Sequence, residues 1–390
     1  MPDPNYATTA HIRLDALRSN ARAVRQLIGD RTLLVAVKAN AYGHGAVPVA
    51  IFLERQQLAD WFGVATAPEA IELRDSGVTS PILKMSLSFA DELPALLALP
   101  DVSLTVADAT TIDQAEQAAA AAGVTARVHL AIDTGMRRVG CEPSAAIDLA
   151  RRVSACRHLD LQGLGTHLPI SDQPDDDGFT VDELARFRSV VTQIQADRAV
   201  HGLSPVPMVH CANSGAVLSH DLDGFTMVRP GIMIYGYYPD TTTPRPVELT
   251  PVMELTSKVT FVKPLAVGQT VGYGRTWTSS KDTWIATVPV GYADGFSRLN
   301  SNRGSMLVNG RPYPVAGRVC MDFTMLDLGP GDSPPVTVGD EVCWLGRRGG
   351  HSITADDLAG IMGTISYEVL CLIGPRVRRV YSSLGDDATG

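Results

Sequence analysis

Between about residue 30 and residue 236 the chain repeats one cycle eight times: a short aliphatic or β-branched run, then a longer segment whose apolar residues recur at helical spacing. The strand-like runs are Leu33–Val37, Phe62–Thr66, Pro81–Met85, Val102–Val106, Arg127–Ile132, Leu161–His167, Pro207–Cys211 and Thr226–Val228. Helices are read at Pro68–Ser76, Ala107–Ala122 and Val181–Val200, the second opened by Asp108, whose carboxylate can accept the free amides of a first turn. Eight strand–helix cycles over roughly 200–250 residues predict a closed (β/α)8 barrel of the TIM type. A doubly wound sheet is the alternative, but no GxGxxG follows the first strand.

The rest of the chain is written in another period. After Tyr237–Thr250, rich in Pro and Thr, the side chains of Met253, Leu255, Ser257, Val259 and Phe261 alternate with Glu254, Thr256, Lys258 and Thr260. Further strands are read at Trp284–Val290, Ser305–Val308, Pro314–Val319 and Glu341–Leu345, with turn formers at Asn309-Gly310 and Gly329-Pro330-Gly331. At 390 residues the chain exceeds what one core comfortably organises. The expectation is an α/β protein: a barrel over residues 11–240, then a mainly-β domain over 245–384, with residues 1–10 able to pack with it and Gly385–Gly390 frayed.

Composition closes off several functions. The 33 basic against 42 acidic side chains give a net charge of −9, which disfavours general nucleic-acid binding through phosphate neutralisation. The longest apolar run, Ala46–Leu53, is far short of a membrane span, and no secretory signal pattern opens the chain, so a cytoplasmic protein is expected. The six cysteines never form a CxxC pair and read as reduced thiols, and the nine histidines show no metal-binding spacing, so no metal is expected.

A barrel enzyme places its chemistry at the C-terminal ends of the strands. There the sequence puts Lys38 with Asn40, Tyr42 and His44 after the first strand, and Asp133-Thr134-Gly135-Met136-Arg137-Arg138 after the fifth. His167 ends the sixth; His210, Asn213, Ser214 and Gly215 follow the seventh; Arg229-Pro230-Gly231-Ile232 follows the eighth. Singly, each has a structural explanation: a rim lysine, a satisfied core histidine, a surface ion-pair arginine. Five strand ends carrying Lys, Arg, His, His and Arg are hard to assign to coincidence. A lysine of lowered pKa can form a Schiff base with an aldehyde, and Ser214 and Gly231 suit a phosphate held by backbone N–H groups. Pyridoxal 5′-phosphate (PLP) satisfies both; a Schiff-base aldolase shares the pattern.

The run Ala36-Val37-Lys38-Ala39-Asn40-Ala41-Tyr42-Gly43-His44-Gly45 resembles the cofactor-lysine motif of the alanine racemase family of fold-type III PLP enzymes. The likeness runs nearly end to end, through Ile132–Met136 with Arg138, His210 with Asn213-Ser214-Gly215, Met227–Ile232, Val271-Gly272-Tyr273-Gly274, Gly291–Gly295, Gly317–Asp322 and Ser366-Tyr367-Glu368. The resemblance implies a homodimer with shared active sites and the following roles. Lys38 is the Schiff-base lysine and the base on the D-substrate side, and Tyr273 the base on the L side. Tyr42, Ser214, Gly231, Ile232 and Tyr367 contact the phosphate, with Asn213 nearby. Arg229 faces the pyridine nitrogen, supported by His210; His167 is linked to the tyrosine base; Arg138 meets the cofactor's phenolic oxygen and the substrate carboxylate. Met321 and Tyr292 line the substrate entrance, and Met321 and Tyr273 come from the second subunit.

The chain departs from the family pattern in three places. Ala131 stands where members commonly carry a lysine that becomes carbamylated, Arg137 where glycine is common, and Leu168-Pro169-Ile170-Ser171-Asp172 where Phe-Ala-x-Ala-Asp is common. The first two remove negative or add positive charge around Arg138, so an inorganic anion near Arg138, chloride above all, or failing that a carboxylate from elsewhere in the chain, is expected in compensation. The function expected is interconversion of L- and D-alanine by two-base proton transfer at Cα. The alternatives are a serine or broad-specificity racemase of the same fold, a fold-type III decarboxylase and, more distantly, a non-catalytic PLP-binding protein.

Overall fold

In the computed structural model, which describes residues 7–173 and 178–382, the chain divides into two compact units. Of the described residues, one unit comprises Leu17–Ala41 and those from Gly45 to Thr250, and the other comprises residues 7–16, Tyr42–His44 and residues 251–382. The expected frayed end, Gly385–Gly390, lies outside the described residues.

The first unit is the closed parallel barrel. Its strands are Thr32–Ala36, Trp61–Val64, Ile82–Leu87, Val102–Val106, Ala126–Ala131, Leu159–Gly165, Met208–His210 and Met227–Val228, and pairing of Leu33 with Val228 closes the ring. Leu33, Leu34, Val35 and Val37 are fully buried, as strands covered on both faces must be. The barrel interior packs Leu34, Trp61, Leu83 and Met227 with Met85 and Met208. Helix starts are set locally. Thr66 and Glu69 form a capping box at Ala67–Asp75, and Asp108 with Thr111 does the same at Ala109–Ala122, which stops at left-handed Gly123.

The second unit is mainly β. Its large sheet runs, edge to edge, Arg311–Pro314, Ser305–Val308, Glu341–Arg348, Met253–Lys258, Thr9–Arg13 and Arg378–Ser382, so the first described strand is sandwiched between two from the C-terminal part of the chain. A three-stranded sheet (Phe261–Leu265, Thr283–Val288, Thr324–Gly329) and a small hairpin (Thr270–Val271, Trp277–Thr278) complete it.

Three strand expectations need correction. The first barrel strand stops at Ala36, one residue short of Val37, with Lys38 after it as expected, and the sixth stops at Gly165, so His167 lies beyond that strand and does not end it. Pro314–Val319 is not a strand: Arg311–Pro314 closes the Asn309-Gly310 hairpin, both turn residues having positive φ, and the chain then loops with only an isolated bridge at Val315.

Candidate active site

After the first strand the backbone turns left-handed. Ala39, Asn40, Ala41 and Tyr42 all have φ between 51° and 54°, and none is glycine. Each such residue costs on the order of 1–2 kcal/mol, so the turn persists only where its surroundings hold it. The Ala39 amide donates to Glu69 Oε1 at 2.7 Å, Ala41 to the Val37 carbonyl at 2.8 Å, and Gly45 to the Asn40 carbonyl at 2.9 Å. Asn40 Oδ1 accepts the Ala46 amide at 2.8 Å, opening the next helix. Lys38, half-buried, is thereby fixed at the mouth of the barrel by a strained and specifically braced backbone.

The fifth-strand loop is an Asx turn: Asp133 Oδ1 accepts the amides of Gly135 (2.9 Å) and Arg137 (3.1 Å). Arg137 has φ 57°, the conformation for which glycine is favoured, and its guanidinium pairs with Glu142 at 2.6 Å on the surface. Arg138 is exposed, and among the described residues it forms no ion pair with a carboxylate.

Arg229, after the eighth strand, is the electrostatic centre of the barrel mouth. Its Nη2 donates to the Thr166 carbonyl at 2.7 Å and approaches His167 Nδ1 at 3.4 Å, while Nη1 donates to His210 Nδ1. Burial pushes the Arg229 guanidinium down to about 10, still charged at neutral pH. Burial, then the charges of Arg229, Arg138 and Lys38, pushes His167 down to about 3; His210 is pushed down as well, by burial and then by Arg229. Both imidazoles are therefore neutral acceptors and donors around a fixed cation.

Between the last two barrel strands, Asn213 caps the Ser214–Ser219 helix through its Oδ1, which accepts from Ala216 at 3.0 Å and from the Ser171 hydroxyl at 2.7 Å. The Ser214 hydroxyl accepts the Gly231 amide at 3.0 Å, tying the two loops together beside buried Ile232. A Cβ on Gly215 would lie 2.7 Å from the Asp172 amide nitrogen, so only glycine admits this approach.

In the β-rich unit, Tyr42 lies 6.0 Å from Tyr367 between ring centroids, and burial raises its phenol above the usual range, keeping it protonated. Tyr273 sits at the tip of the small hairpin between Gly272 and Gly274, both at φ 71°, and is 71% exposed. Tyr292 and Met321 are brought together by two backbone hydrogen bonds, the Tyr292 amide donating to the Cys320 carbonyl and the Ala293 amide to the Met321 carbonyl, each at 3.1 Å. Beneath them buried Asp294 accepts from Arg376 at 2.7 and 2.9 Å, and Arg376 also reaches Asp322 at 2.8 Å.

Sequence reasoning missed Glu69, the Arg376–Asp294 clamp and His129, which lies behind His210. The Thr-x-x-Glu spacing marks Glu69 as a helix cap but not as the brace of a turn thirty residues earlier.

Residues 12–239 match the family model for the alanine racemase N-terminal domain and residues 252–381 that for its C-terminal domain. The chain is 46% identical over 380 residues to an alanine racemase of Cutibacterium acnes, covering 97% of this chain and 98% of the relative. Among solved structures it is similar to an alanine racemase of Clostridium difficile 630, at TM-score 0.88 and 34% identity, with 98% and 97% of the two chains covered. It also resembles a histidine racemase from Leuconostoc mesenteroides, at TM-score 0.86 and 28% identity, with 98% and 100% covered.

Proposed function

The chain belongs to the alanine racemase family, and from that membership we propose that it interconverts L- and D-alanine with PLP held at Lys38. The observation that carries this reading is the braced left-handed turn that fixes Lys38 at the same barrel mouth as buried, charged Arg229. The barrel residues fit the cofactor: an amine for its aldehyde, an oriented guanidinium that keeps its charge, and the Ser214–Gly231 loop pair for its phosphate. Ser214, Asn213, Gly231, Ile232, Tyr42 and Tyr367 are the residues proposed to hold the phosphate. When bound, PLP supplies the electron sink that acidifies the substrate Cα–H.

The protein supplies the bases and their setting. Lys38 Nζ takes or returns the Cα proton on one face and the Tyr273 hydroxyl does so on the other. Arg229 would meet the ring nitrogen, where its fixed charge would disfavour a second positive charge. His167, held neutral, orients the tyrosine without competing for its charge. Arg138 receives the substrate carboxylate, with Tyr292 and Met321 at the entrance. With Ala131 in place of an ionisable side chain, an inorganic anion, chloride in the first instance, is the proposed neighbour of Arg138. Strong spherical density on that guanidinium and a chloride dependence of rate at fixed ionic strength are the expected signs; water alone with a halide-independent rate would remove it.

A homodimer is proposed because Tyr273, Tyr292 and Met321 are 71, 43 and 53% exposed in the single chain, where apolar groups required for chemistry need a covering surface. No helix among the described residues is long and apolar enough to cross a membrane, and the proposed compartment is the cytoplasm, with D-alanine supply as the role.

Serine or broader specificity is the second reading, favoured by Arg137 and Ala131; the similarity to a histidine racemase adds histidine to the substrates worth testing. Enantiomer-resolved assays of the purified protein across alanine, serine and histidine should give the highest kcat/KM for alanine. Retention of PLP with no interconversion of any amino acid would instead favour a non-catalytic PLP-binding protein.

A further inference from the structure

Two imidazoles stand in series behind Arg229 inside the barrel. His210 Nε2 lies 2.8 Å from His129 Nδ1, and both residues are buried, at 5% and 1% exposure. The sixth strand makes room for them. Gly163 and Gly165 are alternate residues and so share one face of the strand. A Cβ on Gly163 would lie 2.2 Å from His129 Nδ1, and one on Gly165 would lie 2.3 Å from His210 Cε1. The His129 ring then packs 5.8 Å from Trp61 within the apolar barrel interior.

We propose that His129 is a positioning residue for Arg229, acting through His210, and that Gly163 and Gly165 provide the space that keeps the two rings in line. The inference rests on the racemase reading, since it is there that Arg229 has a cofactor to face. A guanidinium only donates, so the nitrogen of His210 that meets Arg229 must be an acceptor. A neutral imidazole has one N–H, which places the His210 proton on Nε2, directed at His129 Nδ1. His129 Nδ1 is then the acceptor and its own proton sits on Nε2, a buried atom with no partner within hydrogen-bond distance among the described residues, so the chain ends there. The chain Arg229 → His210 → His129 thus has one direction, fixed by the one member that cannot accept. Without His129, the Nε2–H of His210 has no acceptor in an apolar interior. The alternative tautomer removes that cost but turns an Nδ1–H against Arg229 Nη1–H. Arg229 thus dictates the His210 tautomer, and the His129 ring accommodates it by accepting the Nε2–H, so that Arg229 keeps both its bond to His210 and its bond to the Thr166 carbonyl.

Neutron diffraction from crystals of the purified protein, with kinetics of three variants, tests this. The wild-type density should show hydrogen on Nε2 of both His210 and His129 and none on His210 Nδ1. His129→Leu should lower kcat about tenfold with little change in KM, a loss expected when an oriented charge is released. His129→Gln, whose Oε1 can accept from His210 Nε2–H, should restore most of it, and Gly163→Ala, which displaces the ring, should resemble His129→Leu. Hydrogen on His210 Nδ1 in the wild type overturns the proposal even if no variant folds. So does a His129→Leu enzyme with wild-type kcat, or a Gln variant no better than Leu. Failure of the wild type to racemise any amino acid would contradict the functional reading instead, and the proton positions would still decide the tautomer assignment.

Discussion

One carboxylate joins the turn after Lys38 to the exit of the second barrel strand: Glu69 accepts the Ala39 amide on Oε1 at 2.7 Å and the amides of Ala65 and Thr66 on Oε2 at 2.7 and 3.0 Å. Three N–H groups that neither strand nor helix satisfies converge on this side chain, one of them within the strained residues that present the amine. Glu69→Ala should therefore destabilise the protein by about 1–3 kcal/mol, the cost of orphaning such groups. It should also speed loss of PLP on dialysis. Glu69→Gln should fall short of full rescue, because one of its two ends becomes a donor facing N–H. Urea unfolding and cofactor retention measure both.

Gly43 and Gly29 both have positive φ, 81° and 60°, but only Gly43 is crowded: an added Cβ would lie 2.2 Å from the Leu370 carbonyl oxygen, whereas nothing lies within 4 Å of one at Gly29. Gly29→Ala should cost only conformational strain, about 1–2 kcal/mol. Gly43→Ala adds overpacking, for about 2–5 kcal/mol in total. Equal costs in chemical unfolding would contradict the contact.

The buried histidines set a pH dependence of stability. His129 and His167 are pushed down to about 3 from an ordinary 6.5, burial being the first cause, and His210 is pushed down too. Above pH 6.5 neither state binds the proton; below it the unfolded chain does and the folded one refuses, so stability falls as pH drops from 6.5 towards 3. Each imidazole contributes a slope of at most about 1.4 kcal/mol per pH unit. Unfolding free energies at pH 7.5, 6 and 5 should show the decline, and His129→Gln should show a shallower one. A flat profile would mean that these rings are protonated in the folded protein.

The barrel was legible because its strands are mostly buried and read as short runs rich in aliphatic and β-branched residues, each ending within two residues of the observed strand. Lys38, His210 and Arg229 stood out only together: each alone has a structural explanation, but polar groups recurring at several strand ends of one barrel do not. The second unit was harder to read: Thr9–Arg13 finds its partners more than two hundred residues away, and Pro314–Val319 has strand composition but is held as a loop, with Gly317 at φ 83° against the Val271 carbonyl. His129 looked like one more residue of a buried strand. Its importance lies in a ring-to-ring distance and in two glycines on the neighbouring strand, which no pattern within its own segment records.

Tyr273 is proposed to serve the active site of the other subunit. Inactive Lys38→Ala and Tyr273→Phe proteins, mixed under conditions of subunit exchange, should therefore regain activity approaching about a quarter of the wild-type sites, since half the dimers are mixed and one site in each has both bases. Mixtures that stay inactive although mixed dimers form would place both bases in one chain.

The assignment of Lys38 and Tyr273 to opposite faces of the substrate is tested most directly by exchange of the alanine Cα hydrogen with D2O, followed separately from each enantiomer. The wild type should incorporate deuterium from both while interconverting them. Tyr273→Phe should still exchange D-alanine through Lys38 but lose exchange of L-alanine, with racemisation abolished. Loss of exchange from both enantiomers to the same degree, or continued racemisation without Tyr273, would contradict the two-base arrangement.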